Sequence, residues 1–397
     1  MVPKSHRLRI LGNIHLNGAD WQTWILLSTF GLVFALLLMN GCSGGMKPTV
    51  APGPAASFAF IANSGSGNVS AFTVGSNGVL LSVPGSPFPA GAGAEFMALD
   101  SVHKFLYVSN QNSDNLSGFS VNSSTGGLTP VPGSPFATDA SPHGVVVDSA
   151  GKFVFVGNQN SGTISAFSIN SAKGTLTPVP GSPFTGVVSP FGLAISPAGT
   201  FLYVNDIGAS TVSGFSIDPH TGSLAAVPGA ASPTGQTPIG ILADPNGKFL
   251  YVGDHMQDTI SGYSIDPQSG ALTRISGPAA ASTGCPGCHM NTRPLRLVVH
   301  PINNFVYVSN VAANTLSVFG LNNGILSPIS APVPTGQHPF GVALDPSGSF
   351  LYVANKVDNT ISAFSVDPMM GTLSPLPGSP FSAGGSAPTG IVTVPRQ

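Results

Sequence analysis

The chain is short of charge. Lys, Arg, Asp and Glu together make up 7% of its 397 residues, against roughly 25% in an ordinary domain, so Ser, Thr, Asn and Gly have to cover most of the surface. Its 13 basic and 15 acidic residues leave no basic stripe, and the electrostatic footprint of a nucleic-acid binder is missing. Cysteine is scarce too. Cys42, Cys285 and Cys288 are too few for a disulfide scaffold. No helical segment follows the export-type apolar run, so there is no strand-to-helix turn for a Gly-x-Ser-x-Gly nucleophile elbow or a GxGxxG cofactor loop. What is plentiful is glycine and proline, 50 and 37 residues, in a chain that is still 42% hydrophobic. That apolar share excludes a disordered Pro/Gly polymer and fits many short strands joined by tight turns.

One stretch recurs seven times. Its cleanest copy is Phe350-Leu-Tyr-Val-Ala-Asn355 followed by Thr360-Ile-Ser-Ala-Phe-Ser-Val-Asp367. Apolar and polar residues alternate through both halves, as in a strand with one buried face, and a short polar turn joins them into a hairpin. Copies begin at Phe58, Phe105, Phe153, Phe201, Phe249, Phe305 and Phe350, spaced 47, 48, 48, 48, 56 and 45 residues apart, a period that marks a propeller or solenoid. A full unit runs Phe191 to Ser196, Phe201 to Asn205, Thr211 to Asp218 and Leu224 to Val227: four antiparallel strands, one propeller blade. The repeats start at Phe58 on a second strand and end at Gly390-Ile-Val-Thr-Val394 on a first strand. Pairing the two ends closes the ring without an exposed edge. The sequence therefore predicts an all-β, closed seven-bladed β-propeller over residues 58–397.

Ahead of it, Lys4, Arg7 and Arg9 precede an apolar run from Ile25 to Met39, short for a membrane span but suited to an export signal. The run ends at Met39-Asn40-Gly41-Cys42-Ser43, which resembles a bacterial lipoprotein signal. Residues 1–42 are expected to direct export, with lipidation at Cys42, an uncleaved anchor being the alternative. Residues 43–57 form a small, Pro-rich tether. The protein would then be periplasmic or at the cell surface, held to the membrane by its N-terminus, and monomeric.

Leu351-Tyr-Val-Ala-Asn355 with Thr360-Ile-Ser-Ala-Phe364, and Asp345-Pro-Ser-Gly-Ser-Phe-Leu-Tyr352, resemble the YVTN-repeat propellers and the related 6-phosphogluconolactonase-like lactonases over residues 58 to 397. The resemblance implies a propeller and admits lactone hydrolysis.

Function has to come from residues that break the repeat. Each second strand ends in Asn or Asp (Asn63, Asn110, Asn158, Asp206, Asp254, Asn310, Asn355); these are expected to cap turns, a cation or sugar ring being the other reading. The residues entering the first strands are Glu95, His143, Phe191, Ile239, Leu295, Phe340 and Thr389, and Gly follows in five blades but Phe96 and Arg296 in two. Glu95, His143 and Arg296 are thus charged or titratable exceptions expected around one rim: a general base, an acid and a carbonyl-polarising cation, as ring opening by water requires. Lactonases of the resembled family carry Pro-His-x-His here; this chain has Pro142-His143-Gly144-Val145. His255, Arg293 and Asp254 on the same face are candidate ligand contacts beside His143 and Arg296.

The 56-residue repeat holds Cys285-Pro-Gly-Cys288-His289 in an inter-blade loop. No cofactor is expected; the pattern is read as a local disulfide or free thiols, with haem c attachment (His255 or Met256 as distal ligand) and a metal as alternatives. Two functions remain open: a propeller that binds an unidentified small molecule or protein through its loop-rich face, and a lactone hydrolase. A haem-bearing redox protein is a third.

Overall fold

Strand periodicity in the sequence becomes seven four-stranded antiparallel sheets in the computed structural model, which describes residues 53, 55–100, 102, 104–275, 280–281 and 292–396. The second strands are Ala55–Asn63, Phe105–Asn110, Phe153–Asn158, Phe201–Asp206, Phe249–Asp254, Phe305–Asn310 and Phe350–Asn355. We number the blades by their innermost strands: Ala94–Asp100 in blade 1, then Pro142–Val147, Pro190–Ile195, Pro238–Ala243, Pro294–Val299, Pro339–Leu344 and, in blade 7, Pro388–Pro395.

The expectation of one buried face is corrected here. Leu351, Tyr352, Val353 and Ala354 are all wholly buried, because each sheet is sandwiched between two neighbouring sheets and both faces meet a blade. The alternation in sequence separates two kinds of packing partner, not inside from outside.

Ring closure follows the anticipated scheme. Pro388–Pro395 pairs antiparallel with Ala55–Asn63, from Ser57 opposite Pro395 to Asn63 opposite Pro388, so blade 7 is composite and the N-terminal strand has no free edge. Adjacent blades are also tied by tyrosines. Tyr107, Tyr203, Tyr251 and Tyr307 donate to the carbonyls of Gly174, Gly270, Gly324 and Gly371 in the next blade at 2.9–3.0 Å, and Tyr352 closes the series on Gly78 at 2.8 Å. Gly78 has φ +77°, and a Cβ there would stand 2.5 Å from the Phe350 ring. The recurring Phe and the recurring turn Gly are two halves of one inter-blade contact.

The Asn positions brace hairpins, whereas Asp206 caps its own turn, Oδ1 accepting from Ala209 N at 3.0 Å. In Asn355 the amide Nδ2 donates to Thr360 Oγ1 at 3.0 Å and Ser362 Oγ at 2.9 Å, and Asn63, Asn110, Asn158 and Asn310 make the same pair of bonds. The bonds reach across the hairpin into the third strand, further than a turn cap. The fourth strand of blade 3 runs on as Leu224–Pro233, longer than the Leu224 to Val227 read from sequence. In four other blades it breaks at Pro-Gly-Ser-Pro-Phe, where Ser86, Ser134, Ser182 and Ser379 each accept a backbone N–H of the third strand at 2.9 Å.

Candidate functional site

The innermost strands begin irregularly. In blade 2 the register jumps from Pro142 opposite Asn158 to Val145 opposite Val156, and similar shifts open the other innermost strands. A bulge re-aims side chains, and here it takes His143 and Gly144 out of the ladder with the second strand. The residues so released are the ones that break the repeat.

They form two layers in the central channel. In the first, nearer the loop-rich face, stand Glu95, His143, Phe191, Ile239, Leu295, Phe340 and Thr389, every one of them buried. This corrects the expected placement: Glu95 and His143 are 5% and 3% exposed, part of a plug inside the channel and not open on its rim. The mainly apolar ring accounts for it, since His143 stacks on Phe191 with ring centroids 4.3 Å apart and Phe96 meets both Phe191 and Phe340.

Within that ring the only titratable members pair with each other. His143 Nδ1 lies 2.6 Å from Glu95 Oε2 as a close ion-pair contact, and neither atom makes a hydrogen bond among the described residues. Burying a carboxylate is tolerated when a proton donor meets it. A proton on Nδ1, facing the carboxylate, makes Nε2 the accepting nitrogen.

One residue further along, the second layer is Gly in five blades. A Cβ at Gly144 would come 2.3 Å from the Phe191 carbonyl, and one at Gly341 2.1 Å from that of Thr389, so neighbouring innermost strands touch backbone to backbone. The exceptions, Phe96 in blade 1 and Arg296 in blade 5, send side chains into the space. Arg296 Cζ lies 3.8 Å from the centroid of the Phe96 ring. Burial lowers the guanidinium to about 10, with the Glu95 carboxylate acting in the opposite direction. A cavity of about 170 Å³ opens beside it, walled by Phe96, Val145, Leu193, Arg296, Val342 and Ile391. Val145 stands where the resembled lactonases carry their second His, and it is an apolar wall of this cavity.

The remaining sequence candidates separate from this group. Asp254 is fully buried, and its carboxylate accepts from Gly235 N, Thr259 Oγ1 and Ser261 Oγ at 2.7–2.9 Å, bracing its hairpin. Burial raises its pKa, against the pull of those donors. His255 and Arg293 lie on the loop-rich face. His255 Nδ1 is 3.3 Å from the Pro294 carbonyl, and the Arg293 backbone N donates to Asp258 at 2.7 Å. His338 and Lys356 belong to the same face and were not singled out from sequence, although His338 occupies the pre-proline position equivalent to Arg293. Burial, then the field of Arg293, lower His255, and burial, then Lys356, lower His338. Cys42, and Cys285, Cys288 and His289 with their disulfide and haem alternatives, lie outside the described residues, as do residues 1–42 and most of the tether.

Comparison with known proteins agrees with the architecture. A family model described as "Lactonase, 7-bladed beta-propeller" matches residues 54–187, 179–290 and 280–386. Curated protein sequences include none that matches the chain significantly. Among solved structures, a protein from Bacteroides fragilis provisionally named a 6-phosphogluconolactonase superposes with TM-score 0.74 at 20% identity, covering 87% of this chain and 100% of that one. The Pseudomonas aeruginosa periplasmic gluconolactonase PpgL superposes with TM-score 0.74 at 18% identity, covering 86% and 100%. At these identities the structural likeness is one of fold; the family model spans nearly the whole propeller, and the chain belongs to the seven-bladed β-propeller lactonase family.

Proposed function

We propose that the chain opens lactone rings with water, His143 serving as general base and Glu95 as the group that orients it. The observation that carries this reading is the 2.6 Å contact between His143 Nδ1 and Glu95 Oε2, formed between adjacent blades in a chain that holds few charges. The ring's other nitrogen, Nε2, is the atom that would take a proton from an attacking nucleophile, a contribution worth ~10²–10⁴-fold. Arg296, across the channel on Phe96, supplies the cation that polarises a carbonyl or holds the carboxylate product. Family membership supports the reaction class, and the name of the P. aeruginosa relative makes an exported lactonase a natural combination. Export and lipid anchoring at Cys42 belong to the same proposal.

A second reading is a propeller that binds and does not turn over, recognising a small molecule or a protein partner. It is favoured by the burial of Glu95 and His143 and by a cavity walled by Arg296 but by neither member of the pair. A redox role would rest on haem c at Cys285 and Cys288; a Soret band in the exported protein is its test.

Hydrolysis of a panel of sugar and aliphatic lactones by the full chain, with His143→Ala beside it, decides between the first two. Turnover that disappears in the variant supports the hydrolase. Absence of turnover on every lactone, together with Arg296-dependent binding of gluconate by calorimetry, overturns it in favour of binding.

A further inference from the structure

The geometry points to Ser141 as a nucleophile, which with His143 and Glu95 makes a Ser–His–Glu relay; this inference rests on the hydrolase reading and deepens it. Ser141 Oγ lies 3.5 Å from His143 Nε2, on the far side of the imidazole from the Nδ1 that stands 2.6 Å from Glu95 Oε2. Hydroxyl, imidazole and carboxylate thus succeed one another through the two nitrogens of one ring, the order of groups that recurs on unrelated folds and is recognised by roles, not by sequence order. A nucleophile–base separation longer than an ideal hydrogen bond is usual before substrate arrives.

The backbone of Ser141 is left-handed, φ 60°, held by Ser141 N donating to Asp114 Oδ1 at 2.8 Å and its carbonyl accepting from Gln159 N at 2.9 Å; Thr237, Arg293, His338 and Ala387 share this conformation at the same place in other blades. What sets Ser141 apart is its hydroxyl, the only one in its series to face an imidazole. Ser189 and Thr237 occupy the same place in blades 3 and 4 but precede Phe191 and Ile239. The serine comes from the loop preceding a bulged strand, where no strand-to-helix elbow is needed.

The chemistry balances. Ser141 Oγ bonds to the lactone carbonyl carbon while its proton passes to His143 Nε2. The ring C–O bond then breaks, the ring oxygen takes that proton, and an acyl-serine remains. Water, deprotonated by Nε2, attacks the acyl carbon, Oγ leaves with the proton, and the product is the hydroxy acid.

The test is labelling of the full chain with a fluorophosphonate at neutral pH, followed by peptide mass mapping, alongside lactone turnover by Ser141→Ala. The expected result is one adduct per chain, on Ser141, formed ~100-fold or more slowly in His143→Ala, with turnover lost in Ser141→Ala. An adduct on Ser141 in a protein that turns over no lactone sustains the nucleophile and removes the lactone reading. Turnover that survives Ser141→Ala, with no adduct in the wild type, overturns the nucleophile and leaves His143 acting on water directly. Neither adduct nor turnover overturns both.

Discussion

Arg296 lies over the face of Phe96, its Cζ 3.8 Å from the ring centroid, and these two are the residues that replace glycine in the second layer of the channel. The stacking offsets part of the cost of bringing a guanidinium into the propeller axis, and a contact of this kind is worth about 0.5–2 kcal/mol. Five glycines bring the innermost strands together, and the two exceptions occupy the space that remains. Arg296→Met, close in length and uncharged, is expected to leave the unfolding midpoint within about 1 kcal/mol of wild type while weakening gluconate binding at least tenfold. Calorimetry and urea unfolding together check it, and unchanged affinity would remove Arg296 from the site.

Glu95→Gln keeps the shape of the contact with His143 but ends the preference for a proton on Nδ1, since the amide can donate as well as accept. Loss of a carboxylate in this role costs on the order of 10³–10⁴-fold in kcat. We expect such a fall in lactone turnover with the circular dichroism spectrum unchanged. A loss below tenfold would mean that the carboxylate does not govern the imidazole.

Tyr352→Phe removes the hydroxyl that joins blade 6 to the composite blade through Gly78. Phe155 and Phe60 already stand at the equivalent place in two blades, so the ring tolerates the change in shape. The expected loss is ~1 kcal/mol, a single buried hydrogen bond, read from the urea midpoint. The same tyrosines predict behaviour in alkali. Burial, with nearby aspartates second, raises Tyr107, Tyr203, Tyr251, Tyr307 and Tyr352 well above the ordinary 10.0. Above pH 10 the unfolded chain then releases protons that the folded chain retains, so stability falls as pH rises. Phenolate absorbance should grow in step with unfolding and not before it.

On the loop-rich face the sign is reversed. His255 and His338 titrate below the ordinary 6.5, chiefly through burial, with Arg293 and Lys356 adding to the effect and the Pro294 carbonyl, then Asp258, opposing it at His255. Below pH 6.5 the unfolded chain takes up protons that the folded chain refuses, so the stability these histidines contribute declines as pH falls through 6.5. The double variant His255→Asn, His338→Asn should flatten that slope; an unaltered slope would show that neither histidine contributes to it.

Much of this molecule is written locally. Alternation in Phe350–Asn355 and its six counterparts, the Asp-Pro-x-Gly turns, and the phase offset between Phe58 and Val394 are enough to define seven blades and their closure, because strands, turns and register depend on neighbours in the chain and repeat with it. The same regularity identified Glu95, His143, Phe96 and Arg296 as departures. Which departures meet was decided only in three dimensions. Bulges at the start of the innermost strands turn Glu95 and His143 toward each other, although 48 positions separate them, and carry Arg296 across the axis onto Phe96, while Asp254, His255 and Arg293 stay in the hairpins and loops where their own hydrogen bonds hold them. Ser141 shows the limit most clearly: in sequence it is one hydroxyl among many, and it faces an imidazole only because a left-handed residue and a bulged strand occur two positions apart.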